Sequence, residues 1–293
     1  MSLFSWLTGG GGRTPEELAA RVGLPLSELE TAPIRYHAFE LPKRSGGTRT
    51  IHAPDPALKN IQRQIYRRVL KRMPVHAAVT GFRPGYSIAS NAACHTGQAV
   101  VVRMDIKDFF GSTTAKRVEK YFRHLGWNKA AAALLTRLCT HEGALPQGAP
   151  TSPVLANAVN FQMDARLAGL ARKHGAVYTR YADDLTFSFA KDNHNSIEHI
   201  ICCTKDIVLD SGGYKLHQKR KLRIRRRHQQ QNVTGLVVNE RITLPRKTRR
   251  WLRAVDHRMA HGGEATLTPQ QRQGWAALEH MIAAHRDPTR QAR

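Results

Sequence analysis

Apolar residues recur along the chain with two different periods, which distinguish helices from strands. A spacing of three or four residues links Leu58, Ile61, Ile65, Val69 and Met73. This spacing predicts an amphipathic helix, and the other face of that helix is basic. The same pattern predicts helices around 114–124, 128–140 and 195–210, and one long helix marked by apolar residues between 155 and 170.

Alternating and β-branched stretches predict the strands. Residues 35–55 alternate around a Ser-Gly-Gly turn and predict a hairpin. The run AVVVRMDIKDFF, residues 99–110, predicts a buried strand that ends at a polar rim. A second hairpin is predicted at 177–190, and VTGLVVNERITL, which begins at Val233, predicts a further strand or hairpin. Because strands and helices alternate irregularly, we expect a mixed α+β core followed by a helical C-terminal part.

Helix-start signals near both ends of the chain predict helical regions on either side of a central core. The stretch TPEE from Thr14 combines an N-cap, a proline in the first turn and a capping-box acid, and predicts a small helical module over 1–34. A DNA-binding helix-turn-helix is the alternative, but the single apolar face favours a packing role. The similar stretch TPQQ from Thr268 lies in a helical region, 241–293, which leaves 35–240 as the central core.

The charge balance narrows the class of partner. The 293 residues include 46 Lys and Arg against 22 Asp and Glu, a formal net charge of +24. Such an excess creates a long-range positive potential, and polyanions are its natural partners. The basic residues are spread along the whole chain, so nucleic acid fits best. An anionic membrane surface fits less well, because no basic amphipathic anchor is present.

Cysteine usage and the apolar runs suggest the compartment. Four cysteines form no CxxC pair, which favours a reducing cytoplasm over a disulfide framework. The nearby His194, His199, Cys202 and Cys203 raise zinc as an alternative, but the usual paired spacing is missing and ordinary helix packing is favoured. We find no signal-peptide pattern and no run of 18 apolar residues, so we expect a soluble cytoplasmic protein with no membrane partner.

Two adjacent aspartates, Asp183 and Asp184, stand out in so basic a chain. The stretch TRYADDLTFS has apolar residues on both sides, which predicts that the pair lies at a tight hairpin tip. Neighbouring carboxylates repel unless a cation lies between them, and Mg²⁺ prefers such hard oxygen ligands. Asp105, in the predicted strand VVVRMDI, is the best candidate for a third ligand. Two metals held this way can catalyse an in-line displacement, although each aspartate taken alone could be a surface cap.

The ordered series VVRMDIKDFF, LPQGAPTSPVLAN and YADD resembles the palm motifs of reverse transcriptases. This resemblance implies a right-hand polymerase, with fingers and an antiparallel palm sheet plus helices in 35–240 and a helical thumb in 241–293. It also implies that Asp105, Asp183 and Asp184 are catalytic and hold two Mg²⁺ ions, with Asp184 the less certain ligand.

The same resemblance assigns roles around the metal centre. Phe110 would be a steric gate that favours deoxynucleotides, and Tyr181 would support the primer end. Gln147 and Gly148 would line the nucleotide pocket, and Arg49 would neutralise the incoming triphosphate.

Two further stretches are similar to the marks of bacterial retron reverse transcriptases. The pattern NAxxH occurs at Asn91 and His95, and the triplet VTG includes Thr234 and Gly235. The resemblance implies that these residues bind RNA. A lysine that precedes VTG in the retron pattern matches Lys221, which could donate a proton to the leaving pyrophosphate or bind phosphate.

A basic stretch before VTG is the candidate RNA-reading segment. RIRRRHQQQNVTG carries Arg225, Arg226 and Arg227, and arginine donors match both phosphates and stacked bases. The alternative is a charged surface without specificity.

The retron resemblance implies an RNA-directed DNA polymerase that copies part of a cognate structured non-coding RNA, which serves as template and primer. The implied product is DNA joined to RNA through a 2′-hydroxyl, made from dNTPs. Such systems commonly act in antiphage defence with an effector protein. The chain shows no RNase H signature, so template removal would fall to a host ribonuclease H.

Two other functions stay open at this point. One is a related prokaryotic reverse transcriptase, either intron-encoded or diversity-generating, although a maturase-like extension is missing. The other is a catalytically idle RNA-binding protein of the same fold, against which the intact set of aspartates argues.

Overall fold

A computed structural model describes residues 12–43, 46–217, 222–261 and 266–285. The helices are α1 (Pro15–Val22), α2 (Leu26–Thr31), α3 (Pro56–Ile65), α4 (Ile88–Ala93), α5 (Ala115–His124), α6 (Lys129–Cys139), α7 (Ser152–Val159), α8 (Phe161–Lys173), α9 (His194–Gly212), α10 (Arg246–Ala260) and α11 (Pro269–Ala284). The strands are β1 (Tyr36–Pro42), β2 (Thr48–Pro54), β3 (Val100–Asp105), β4 (Ala176–Tyr181), β5 (Asp184–Phe189), β6 (Arg223–Arg226), β7 (Asn232–Val233) and β8 (Leu236–Val237).

The chain forms two compact units, and both are assembled from separate stretches. The first unit contains the chain up to His76 together with Lys107–Ala165 and Ile207–Lys215. The second unit contains Ala77–Ile106, Arg166–Asp206 and the chain from Leu216 onward. The division into 1–34, 35–240 and 241–293 stays a prediction.

The first unit joins a hairpin to a group of helices. Strands β1 and β2 pair antiparallel, from Tyr36 opposite Pro54 to Pro42 opposite Thr48. Side-chain caps begin several of the helices: Asp55 accepts from the backbone N–H of Leu58 at the start of α3, at 2.8 Å. The apolar faces of the helices supply the core, which includes Leu18, Leu29, Leu58, Phe122, Leu135 and Leu138, all fully buried.

The second unit contains an antiparallel sheet of four strands in the order β4-β5-β3-β6. Strand β3 is central, and Val100, Val101 and Val102 are all buried. Burial on both faces explains why this strand shows as a continuous apolar run in the sequence instead of an alternation.

One hydrophobic cluster in the second unit joins α4, the short β7–β8 hairpin and the last two helices. Its members are Ala89, Ala92, Val101, Val233, Leu236, Val238, Ile242, Leu244, Leu252 and Ile282. Outside this cluster, α10 and α11 are joined by Arg272, which donates to Asp256 at 2.5 Å and to Glu279 at 3.0 Å. The C-terminal helices therefore pack on the sheet unit through apolar contacts.

The structure confirms the expected α+β class with an antiparallel sheet and a helical C-terminal part. The single long helix expected across 155–170 is wrong, because α7 ends at Val159 and α8 begins at Phe161. Asn160 lies at the break, where its buried amide donates to Ala156 O at 2.8 Å and to the Tyr214 hydroxyl at 2.9 Å. Within the described ranges, no helix is long and apolar enough to cross a membrane.

Candidate active site

The two adjacent aspartates lie at the tip of what we call the aspartate hairpin, formed by β4, β5 and the two-residue loop Ala182–Asp183. Tyr181 pairs with Asp184 across the hairpin. Ala182 has φ 56°, a left-handed conformation that is uncommon outside glycine. The fully buried Arg180 donates to the Ala182 carbonyl oxygen at 3.0 Å. This hydrogen bond from the buried Arg180 side chain stabilises the conformation of the loop.

Strand β3 brings the third aspartate beside this hairpin. Asp105, the last residue of β3, is directly opposite Asp184 in the register of β3 and β5. The next residue, Ile106, donates its backbone N–H to the Asp183 carbonyl oxygen at 2.9 Å. Asp105, Asp183 and Asp184 are thus gathered at the ends of adjacent strands, and their catalytic role stays a prediction.

Nitrogen donors contact two of the three carboxylates. Arg103 donates to Asp184 in a bidentate manner, with Nε at 3.3 Å from Oδ1 and Nη2 in close contact with Oδ2. His217 Nε2 lies 3.5 Å from Asp105 Oδ1. Carboxylates directly opposite each other on a sheet repel. The charge of the Arg103 guanidinium reduces that repulsion.

The positions of the three aspartates bear on the predicted metal site. Among the described residues, no group of three or more His, Cys, Asp or Glu side chains is arranged to hold a metal ion. This finding includes the alternative zinc group at His194, His199, Cys202 and Cys203. It also includes the three aspartates. The donor type nevertheless fits: carboxylate oxygens at adjacent strand ends are the ligands that Mg²⁺ prefers, and Asp184 already binds a cationic group.

In the first unit, a cavity of about 480 Å³ collects most of the predicted nucleotide-binding residues. Arg49, Phe110 and Gln147 all line this cavity. Gly148 lies behind it at φ 133°, where an added Cβ would stand 2.8 Å from the carbonyl oxygen of His52. Only glycine fits this close approach without strain. Nucleotide binding by these residues stays a prediction.

The sequence motifs missed other residues that line the same cavity. Among them are Lys43, His52, Asp108 and His141. Asp108 has φ 46°, a conformation that concentrates at functional positions. A signal was available for Lys43, which lies beside the Ser-Gly-Gly turn of the predicted hairpin. No sequence signal pointed to His52 and His141. They are 89 residues apart in the chain, and only folding brings their ring centroids to 5.3 Å.

Tyr181 and Lys221 are the two remaining residues of the predicted centre. Tyr181 is half-buried at the end of β4, opposite Asp184, and its support of a primer end stays a prediction. Lys221 lies outside the described residues.

The NAxxH pattern forms an internal brace. His95 is fully buried, with Nδ1 2.7 Å from Ser188 Oγ and Nε2 2.7 Å from Thr179 Oγ1, so its ring joins both strands of the aspartate hairpin. Burial, assisted by the charge of Arg103, lowers the pKa of His95 to about 3. Asn91 is also fully buried and accepts from Thr80 Oγ1 at 2.7 Å. Buried side chains cannot reach RNA, so the assignment of these two residues as RNA ligands is corrected.

The VTG triplet forms the tip of the VTG hairpin, which comprises β7, β8 and the loop Thr234–Gly235. Both loop residues have positive φ, 47° and 88° respectively, as the two-residue type I′ turn requires. The Thr234 hydroxyl donates to the carbonyl oxygen of Ile88 at 2.8 Å, so it faces α4 and holds the hairpin there. Gly235 is exposed. The NAxxH pattern begins within α4 and the VTG hairpin bonds to α4, so the two patterns are neighbours in the structure although 142 positions separate Ala92 from Thr234.

The predicted RNA-reading segment is divided between two faces of the sheet. Arg225 lines a groove of about 330 Å³ with Val101, Arg103, Arg223, Gln230 and Asn232, which we call the arginine groove. The side chain of Arg226 instead donates to Asp192 at 2.6 Å and lines a separate cavity beside α9. Arg227 follows the strand, at the turn. Arg223, which the sequence reasoning did not select, is exposed and stands opposite Arg103 on β3.

Comparison with known proteins identifies similar chains. The family model described as reverse transcriptase (RNA-dependent DNA polymerase) matches residues 41–236. The chain is 38% identical to the retron Mx65 reverse transcriptase of Myxococcus xanthus, over 92% of this chain and 68% of that protein. It is 37% identical to the retron Mx162 reverse transcriptase of the same organism, over 91% and 63%. It is 33% identical to the retron Ec86 reverse transcriptase of Escherichia coli, over 85% and 77%.

Solved structures show the same fold at low identity. Telomerase from Candida albicans, in complex with a fragment of telomeric RNA, superposes with a TM-score of 0.51 at 11% identity, over 80% of this chain and 51% of that chain. Apo telomerase from Candida tropicalis superposes with a TM-score of 0.52, also at 11% identity, over 73% and 56%. This chain thus spans about half the length of the telomerase chains and about two thirds of the Myxococcus relatives.

Proposed function

The chain belongs to the reverse transcriptase family of RNA-dependent DNA polymerases, among the retron reverse transcriptases, and we propose that it copies a cognate structured RNA into single-stranded DNA. The observation that carries this proposal is the gathering of Asp105, Asp183 and Asp184 at adjacent strand ends in a chain of this family. The intact set disfavours an idle RNA-binding protein.

The chemistry assigned to the aspartates follows from their donor type. The family depends on divalent metal ions, and we propose two Mg²⁺ ions, which would supply activation of the attacking hydroxyl and neutralisation of the leaving pyrophosphate. Asp105 and Asp183 would be the direct ligands. Asp184 is the less direct one, in agreement with its bidentate contact to Arg103. Tyr181, opposite Asp184, would support the end of the growing strand.

The cavity of the first unit includes basic, amide and aromatic side chains that suit a deoxynucleotide, together with the acids Asp108 and Glu142. Arg49 and Lys43 would bind its phosphates, and Gln147 would contribute a further polar contact. The partly exposed ring of Phe110 would lie beneath the sugar and clash with a 2′-hydroxyl. We expect Phe110→Ala to admit ribonucleotides, measured as the ratio of dNTP to NTP incorporation in competition. An unchanged ratio would remove the steric-gate assignment.

The arginine groove has the charge of a phosphate-binding surface. Arg223 and Arg225 are two residues apart on one strand, so both guanidinium groups stand on the same face. No acid lines the groove among the described residues. We propose that it binds the phosphate backbone of RNA or nascent DNA. Arg226 faces elsewhere and is assigned no strand contact.

The finer biology is proposed from the similarity to retron enzymes. The cognate non-coding RNA would be both template and primer, and the product would be DNA linked to RNA. We propose a cytoplasmic location, a host ribonuclease H for template removal, and action with an effector protein in antiphage defence. Sequencing of nucleic acid copurified from cells that carry the native locus tests this part: short DNA covalently joined to RNA supports it, and bulk RNA alone contradicts it.

Primer extension tests the polymerase directly. Purified protein would be assayed with an RNA template, Mg²⁺ and dNTPs, and we expect Asp183→Ala to abolish extension. The matched control is Asp192→Asn, which removes an exposed aspartate in the same unit that pairs with Arg226. Activity that persists in Asp183→Ala would refute the site.

A further inference from the structure

We infer that Arg103 is a positioning residue that competes with a divalent cation for the Asp184 carboxylate and ties this carboxylate to the VTG hairpin. The inference rests on the proposed function, because it concerns the metal centre assigned there. It assigns a role to Arg103, a residue of the stretch VVRMDIKDFF to which the family resemblance gave no role.

The register of the sheet places Arg103 beside the acid. Arg103 is opposite Thr186 in β5, and the next pair on the same face is Asp105 and Asp184. The Arg103 guanidinium therefore lies diagonally next to Asp184, and it binds both carboxylate oxygens. The side chains are 23% and 18% exposed, so water screens the pair only partly.

A third contact connects this pair to the VTG hairpin. Arg103 Nη1 donates to the backbone carbonyl oxygen of Asn232, the first residue of β7, at 3.3 Å. A single guanidinium thus holds a proposed metal ligand and the strand that leads to Thr234 and Gly235. A lysine could not make these contacts together, because its ammonium group lacks the planar fork.

The competition follows from charge and geometry. Both oxygens of Asp184 are engaged by one guanidinium, so ligation of a metal by this carboxylate requires at least one of those hydrogen bonds to break. The positive charge of Arg103 also repels a cation at the site. Removal of the guanidinium should therefore tighten metal binding, by roughly tenfold for charges a few ångströms apart in a partly buried site.

Metal affinity can be measured without polymerase activity. The dissociation constant for Mn²⁺ would be determined on the full chain by electron paramagnetic resonance of the free ion, and only binding that Asp183→Ala removes would be assigned to the centre. We expect Arg103→Gln to bind about tenfold more tightly than the wild type. Arg103→Lys keeps the charge but loses the fork, so a smaller gain of about threefold is expected. Asp192→Asn, which breaks another arginine–aspartate pair, should leave the constant unchanged.

A double-mutant cycle shows whether Arg103 affects metal binding through Asp184. If Arg103 acts through Asp184, the substitution Arg103→Gln should change Mn²⁺ affinity clearly less in an Asp184→Asn background than in the wild type, because only the charge repulsion remains there. An undiminished change in that background would show that Arg103 acts by charge alone, and wild-type affinity in both Arg103 variants would overturn the competition. If Arg103→Gln does not fold, Arg103→Lys tests the same competition: wild-type Mn²⁺ affinity in that variant would overturn it. Failure of wild-type primer extension with these affinity changes intact would count against the proposed function alone.

Discussion

Substitution of His95 by leucine should destabilise the second unit, although leucine is close to histidine in volume. His95 is completely buried, and its two ring nitrogens bond to the hydroxyl groups of Ser188 and Thr179. Leucine leaves both hydroxyls buried without this partner. Each orphaned polar group costs about 1–3 kcal/mol, so we expect a loss of about 2–6 kcal/mol in the free energy of unfolding. That is a large part of the total stability of a typical domain, about 5–15 kcal/mol.

Equilibrium unfolding in guanidinium chloride would measure this loss, and amide hydrogen exchange would locate it. We expect faster exchange in peptides that cover β4 and β5, because the His95 ring joins these two strands. The primer-extension rate should fall together with this protection, since the same hairpin carries Asp183.

A triple variant provides the decisive control. Thr179→Val and Ser188→Ala, added to His95→Leu, remove the hydroxyls that the single variant leaves unpaired. Replacing both partners of a buried hydrogen bond by apolar groups is close to neutral, so most of the lost stability should return. A single-variant loss below about 1 kcal/mol, or a triple variant no more stable than the single one, would refute the brace.

Three further predictions follow from individual contacts. The pKa of His95 in the folded protein is about 3, below its ordinary value of 6.5. The stability that neutral His95 contributes is therefore complete above pH 6.5 and is lost as the pH falls toward 3. Unfolding curves measured across this range should show the loss for the wild type and not for the triple variant. Gly235→Ala places a Cβ at φ 88° and should cost about 1–2 kcal/mol in thermal unfolding, whereas a neutral result would contradict the turn assignment. Arg223→Gln should reduce the slope of log affinity for RNA against log salt by about one unit, and an unchanged slope would exclude a phosphate contact.

The local patterns of the sequence were sufficient for the fold class and for the order of the motifs. The valine run before Asp105 predicts a buried strand, and the aromatic and β-branched residues around Asp183 predict a hairpin. Both are short-range signals that depend on side-chain type, and the structure has both elements. The break at Asn160 was missed because the apolar spacing continues across it, while the residue that stabilises the break, Tyr214, is distant in sequence.

Contacts between distant segments decided what the motif residues do. NAxxH and VTG were recognisable as patterns, but a pattern does not tell whether a polar side chain faces solvent or a buried partner. Folding placed His95 between two hydroxyls and Thr234 against α4, which gave both residues internal roles. The alternation of β6 likewise separated Arg225 from Arg226, because successive side chains of a strand point to opposite faces.

The sequence by itself therefore determined the chemical content of the centre, three aspartates in a strongly basic chain with the motif order of a polymerase. Only the tertiary structure decided which groups surround those aspartates. Arg103 lies two positions before Asp105 on the same strand, but that position does not identify its partner. It becomes a partner of Asp184 because the register of β3 and β5 brings together two residues that are 81 positions apart. The register of a strand pair is set jointly by the hydrophobic patterns of both strands and by their connections, so neither segment alone shows which residues meet.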